Sequence, residues 1–302
     1  MKKKTYLFAL MAMVLTLGSC SNNEDGIGGE TSKYITVSTS IGNMTRVATD
    51  AKGGQTFEEG DEISVYAWTG APTVAPETSE RVVNNAINKL TNGSWVSTPQ
   101  MLWKNNRDKH YFIGVYPISA SAISDLSAGE YAFDETKQVE SDLLVAVNKD
   151  GLSYNVDEQQ PVPLTFTHVM AKLAVNLTYK NQWGGIPTVE KVVVGNAAKE
   201  ATINYLTKVV TPSTTAKEDF SLPEITENTK YVSVIIPQEE VTQLTIVIGG
   251  KNFVYDNGTP FKLESGKITT VNLEVGRDEI KLGDVKITNW EDGSTFSGEA
   301  LN

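Results

Sequence analysis

The sequence has 302 residues, 40% of them hydrophobic, which suffices for two domains of ordinary size with packed cores and argues against global disorder. The formal net charge is −11, and without the N-terminal Lys2, Lys3 and Lys4 it becomes −14. A surface that acidic repels phosphate backbones and anionic lipid, which disfavours nucleic-acid binding and electrostatic membrane docking. Cys20 is the only cysteine, so an intrachain disulfide, a thiol pair and a Cys-based zinc site are excluded, and the histidines are two, His110 and His168.

Residues 1–20 read as an export signal. The three lysines form a basic start, and residues 6–17 form an apolar stretch shorter than the roughly 20 residues a membrane-spanning helix needs. The stretch ends in Leu17, Gly18, Ser19 and Cys20. An aliphatic residue, two small residues and a cysteine resemble the lipobox of bacterial lipoproteins, in which small residues admit the peptidase and the thiol takes the lipid. Cys20 is therefore expected to be the lipidated first residue of the mature protein. Two or three acyl chains hold a protein on a membrane stably, where one does not. A polar, Gly-containing tether follows, with Glu24 and Asp25 as an acidic pair.

From Tyr34 onward the pattern is β. Residues 34–41 place Ile35, Val37 and Ile41 on one strand face, and residues 62–68 do the same with Ile63, Val65 and Ala67. Residues 79–90 carry the best helical periodicity in the chain and predict one short helix. Residues 110–116, 143–147 and 164–166 predict strands, and 171–177 alternate cleanly through Ala171, Leu173, Val175 and Leu177. Further strands are predicted at 189–194, 231–236 and 244–248. Residues 253–255 and 262–263 flank Asp256, Asn257 and Gly258, a hairpin turn signal. Residues 269–275, then Val285 and Ile287, close the series before Trp290. Many short strands separated by turn residues predict β-sandwiches, with a domain boundary near residues 161–170.

Chemistry was sought along the chain and not found. Glu58, Glu59, Asp61 and Glu62 do not fit an EF-hand loop and read as a polar turn before a strand. His168 reads as a core or interface histidine, and His110 has no evident partner. No phosphate loop, nucleophile elbow or two-His metal motif is present, so no catalytic residue, cofactor or metal is expected. Trp95, Trp103, Trp183 and Trp290 read as core packing rather than as a sugar platform.

Several segments together resemble the fimbrillin family, the subunits of type V pili in anaerobic Gram-negative bacteria. They are the lipobox; Thr45, Arg46, Val47 and Ala48; the stretch 57–66; Phe166, His168, Ala171 and Lys172 in a Phe-x-His-x-x-Ala-Lys pattern; and the closing segments 261–267 and 287–293 around Trp290. The resemblance implies an all-β protein of two tandem transthyretin-like, Greek-key sandwiches. Its divisions are a signal peptide at 1–20, a tether and removable first strand at 21–46, an N-terminal sandwich at 47–165 and a C-terminal sandwich at 166–302. It also implies a surface-exposed lipoprotein of the cell outer membrane that passes into the fimbrium. An arginine-specific protease cuts after Arg46, before Val47, and removes lipid and first strand together. The vacated groove then takes a strand from another pilus subunit, with residues 280–302 as the natural donor.

The residues agree with this physically. Arg46 lies in a polar stretch just past the alternating strand, where a protease finds access. Burial of Ile35, Val37 and Ile41 at about 1.5–3 kcal/mol each gives roughly 5–9 kcal/mol for that strand. Its removal leaves an apolar groove and open edges, which a donor strand refills by β-augmentation. The expected function is a structural, non-enzymatic pilus subunit supporting adhesion, its surface ligand unspecified. The alternatives are a lipid-anchored subunit at the pilus base and a surface glycan-binding lipoprotein that never polymerises.

Overall fold

The computed structural model describes residues 33–42, 56–155, 160–256 and 258–290. Among these, the first half forms β1 (Val37–Ile41), β2 (Glu62–Thr69), β3 (Arg81–Thr91), β4 (Ser94–Thr98), β5 (His110–Tyr116), β6 (Gly129–Ala132), β7 (Leu144–Leu152) and β8 (Val162–His168). The second half forms β9 (Ala171–Tyr179), β10 (Val189–Ala198), β11 (Glu200–Asn204), β12 (Val209–Pro212), β13 (Lys217–Ser221), β14 (Glu224–Thr226), β15 (Lys230–Ile235), β16 (Gln243–Ile248), β17 (Lys251–Asp256), β18 (Lys267–Val275) and β19 (Ile280–Asn289). Helix is confined, among the described residues, to two single 3-10 turns at Thr78–Glu80 and Asn181–Trp183. The all-β expectation holds.

The strands form four sheets. One has seven strands in the order β1-β8-β7-β5-β2-β3-β4, and another has five in the order β14-β15-β9-β18-β19. A four-stranded sheet runs β13-β10-β16-β17, and a three-stranded one runs β12-β11-β6. Pairing is antiparallel except at two places, β1 on β8 and β18 on β9. The extended run after Pro161 serves two sheets: β8 ends at His168 in the seven-stranded sheet, and β9 begins at Ala171 in the five-stranded one.

The period-2 pattern explains how these sheets pack. Along β2, Val65 and Ala67 enter one hydrophobic cluster while Tyr66 and Trp68 enter another. Phe112 and Ile113 on β5 divide in the same way, as do Ala146 and Val145 on β7. The seven-stranded sheet is thus apolar on both faces, which is why its central strands read as continuous apolar runs. Its first cluster gathers Ile35 from just before β1, Val37 from β1, and Val162, Leu164 and Phe166 from β8. The second, larger cluster joins the other face to residues of β9, β10, β15, β16 and β18.

Two local expectations are corrected. Residues 79–90 are not an α-helix: 79 and 80 end the 3-10 turn, and 81–90 are most of β3, antiparallel to β2. Val65 pairs with Ala86 and Ala67 with Val83, so two residues of β3, Asn84 and Asn85, oppose the single Tyr66 of β2. Asn85 at φ 59° forms this bulge, and its side chain accepts a hydrogen bond from Tyr66 Oη (3.0 Å). The extra residue puts the buried Val83 and Ala86 three apart, which imitates helical spacing. The segment 253–263 is also not a two-stranded hairpin: β17 pairs back onto β16, and Leu263 makes only an isolated bridge to Gln238. Asn257, in the predicted turn, lies outside the described residues.

Candidate functional site

The segment 33–42 fills a gap between the two ends of the seven-stranded sheet. On one side β1 runs parallel to β8, from Val37 opposite Val162 to Ile41 opposite Phe166. Val162 N–H donates to Thr36 O (2.8 Å) and Gly42 N–H to Phe166 O (2.7 Å). On the other side, residues just before β1 meet the chain just after β4. Ile35 N–H donates to Met101 O (2.9 Å), Trp103 N–H donates to Lys33 O (3.2 Å), and Tyr34 bridges Leu102. From β4 itself, Trp95 Nε1–H donates to Thr39 Oγ1 (3.0 Å).

Ile35 and Val37 are buried in the first cluster, whereas Ile41 is only half-buried against it. The apolar hold on this strand is therefore about 3–6 kcal/mol from two full side chains, with a smaller addition from Ile41, below the figure expected for three. Phe57 braces the same region, edge-on to Trp95, Tyr116 and Phe166 at centroid distances of 5.3, 5.3 and 5.1 Å. Tyr116 donates to Asp61 Oδ1 (3.3 Å), and burial first, then that carboxylate, pushes its phenol up to about 12. A groove of about 740 Å³ runs beside β1, lined by Val37, Ile41, Phe57, Leu90 and Trp95 among others.

Further along the chain, β19 is, among the described residues, an edge strand paired only with β18. Nine of its ten residues are exposed, and Leu282, Val285 and Ile287 show 37%, 39% and 41% of their surface. The next residue, Trp290, is 6% exposed. Its ring stacks on His168 (4.2 Å between centroids, 9° between planes), and Lys172 Nζ lies 4.3 Å from its centroid. His168 Nδ1 is 2.8 Å from Asp142 Oδ1. Lys172 is 2% exposed, and burial pushes its ammonium down to about 8 against the opposing pull of Asp142.

The sequence matches the family model described as fimbrillin-like over residues 45–290. The chain belongs to the fimbrillin-like family. That membership makes it a structural pilus subunit of the cell-surface fimbrium rather than an enzyme. No curated protein matches the sequence. Among solved structures, a candidate cell adhesion protein from Bacteroides uniformis is similar at a TM-score of 0.64 and 18% identity, over 85% of this chain and 98% of the other. One from Bacteroides ovatus gives 0.62 and 17% over 85% and 98%, and a fimbrial protein from Bacteroides vulgatus gives 0.54 and 12% over 86% and 100%. At these identities the likeness is one of fold.

Three residues that the sequence singled out in this fimbrillin-like chain, Cys20, Arg46 and Val47, lie outside the described residues. The others are placed. The acidic stretch is a turn that organises its neighbours: Asp61 Oδ2 accepts Glu58 N–H (2.7 Å), Glu59 Oε1 accepts Asn92 N–H (2.7 Å), and Glu62 pairs with Lys89 (3.1 Å). His110 does have partners. It is buried, its Nε2 accepts Lys104 N–H (3.1 Å), and its Nδ1–H donates to Asp108 O (3.1 Å), while burial lowers its pKa. The tryptophans are engaged by side chains around them: Trp103 by His110 and Phe112, and Trp183 by Phe253. The seat of Trp290 was missed, because stacking between residues so distant in sequence leaves no local pattern.

Proposed function

We propose that this fimbrillin-like protein is a stalk-type subunit of a type V fimbria that polymerises by replacing its own first strand. It is exported as a lipoprotein acylated on Cys20 and held at the outer membrane, surface-exposed. An arginine-specific protease cuts between Arg46 and Val47, and the segment carrying lipid and β1 departs. The remaining two sandwiches, 47–165 and 166–302, take a donor strand from the C-terminal region of another subunit. The fibre then supports adhesion.

The observation that carries this reading is the way β1 is held. It is short, its five residues are laddered to β8, the other side of the segment is held to residues 101–103 and Trp95 by a few bonds, and it reaches Arg46 within a few residues of its end. Two buried side chains give it a modest apolar hold, yet its loss uncovers the cluster beneath Val162, Leu164 and Phe166. A segment so attached can be removed without dismantling the antiparallel sheet behind it. The space it leaves, and the groove beside it, present apolar surface and unpaired backbone, which a second strand satisfies. The exposed Leu282, Val285 and Ile287 of β19 supply apolar side chains that the subunit's own sheet leaves in solvent.

The test is to treat the unlipidated precursor, and an Arg46→Ala variant, with an arginine-specific protease, then to run size exclusion and N-terminal sequencing. One cut before Val47 followed by a ladder of oligomers, with Arg46→Ala remaining monomeric, is the expected result. A wild-type monomer that is cut and stays monomeric, or that resists the protease, overturns it.

A further inference from the structure

The C-terminal strand is held in an unusual way. With nine of its ten residues exposed, β19 gains little from burial, and its ladder to β18 is what keeps it in the sheet. A strand at a sheet edge attached in this manner opens readily at its C-terminal end unless something pins it there. Trp290 sits there. Its N–H donates to Gly266 O (3.2 Å), and its ring is buried against His168 and near Lys172. The seat is assembled from different parts of the fold: His168 ends β8, Lys172 is the second residue of β9, Asp142 orients His168 from ahead of β7, and Gly266 precedes β18.

We infer that Trp290 is an autoinhibitory latch: docked on His168 and Lys172, it keeps β19 in its own subunit. The inference rests on the strand-exchange reading above and adds to it the contact that must break before the C-terminal region can be donated. The location of the seat gives the latch a link to the first strand. β8 is the strand that β1 covers, Ile41 pairs with Phe166, and His168 stands two residues further along the same strand. Gly42 N–H donates to Phe166 O, so the end of β1 ties down β8 right where the seat begins. Loss of β1 removes that tie, so removal of the first strand loosens the hold on the last one.

Hydrogen exchange read by mass spectrometry on the unlipidated precursor tests this, comparing wild type with Trp290→Ala and Trp290→Phe. In Trp290→Ala the amides of the β18–β19 ladder exchange at least roughly tenfold faster, as loss of one aromatic anchor implies, while those of the β10–β16 ladder keep their wild-type rates. Trp290→Phe, which retains a ring to stack, keeps most of the protection. Wild-type protein cut after Arg46 shows the same selective rise in β19. Unchanged protection of β19 in Trp290→Ala, or an even rise across all sheets, overturns the latch. The same samples are run by size exclusion after the protease. If β19 is selectively freed but no cut sample forms oligomers, the latch stands and the strand-exchange reading fails.

Discussion

Replacing Ile35 by alanine separates the precursor from the fibre. Ile35 is buried in the first cluster and its N–H is bonded to Met101 O, so truncation removes core carbons that the surrounding sheet cannot fully replace. Large-to-small changes of this kind cost about 2–5 kcal/mol, which is half or more of the apolar hold of about 3–6 kcal/mol on the strand. Urea unfolding of the unlipidated precursor is expected to show that loss. Because the cost falls on β1, its open population should rise as well: 2 kcal/mol is a factor of roughly thirty, and cleavage after Arg46 should quicken in step while opening stays fast relative to cleavage. Fibres grown from the two precursors should dissociate at the same temperature, since under the proposed processing the subunit would begin at Val47 and would no longer contain residue 35. An unchanged precursor refutes the placement of Ile35 in the core. A fibre weakened as much as its precursor shows that the first strand is still present in the assembly, and strand replacement is then wrong.

Two further outcomes follow from single residues. Lys172 has a folded-state pKa of about 8 against 10.5 for the free side chain, so between those values the unfolded chain holds a proton that the folded one has released, and stability rises with pH. Wild type should gain about 2 kcal/mol between pH 7.5 and 9.5 relative to Lys172→Met in paired denaturant titrations; parallel curves for the two proteins contradict the burial of that charge. Asn85→Val forces a β-branched residue to φ 59° and removes an acceptor from Tyr66, which should cost about 2–4 kcal/mol, while Asn85→Gly keeps the backbone and loses less. Thermal unfolding of the two variants measures the difference, and equal losses would falsify the bulge as the cause.

Much of the fold was legible. Residues 110–116 were read as a strand with the bounds of β5, and Ala171 through Leu177 as the core of β9, because apolar β-branched and aromatic residues run there between turn residues. The segment 79–90 misled because a single bulged asparagine shifts the side-chain period locally. Strands β12, β13 and β14 escaped notice since each is short, β13 and β14 are mostly polar, and each is held by neighbouring strands rather than by its own pattern. At the candidate site, the alternation of Ile35 and Val37 announced a buried strand. It did not announce that its partner would be β8, in parallel, far along the chain. The stack of His168 on Trp290 was invisible for the same reason: tertiary contacts between distant side chains are written in no local period.

The surfaces at the two ends of the subunit belong to different sheets. β1 occupies the seven-stranded sheet, and β19 lies at the margin of the five-stranded one. In the proposed exchange, where one molecule gives the second and another receives it in place of the first, giver and receiver would use unlike patches. Such a contact has no two-fold axis, so it does not close on itself as a symmetric dimer does. Each added subunit would present again the patch that the previous one consumed. The product of that exchange would be a polar thread with distinguishable ends, extended one molecule at a time.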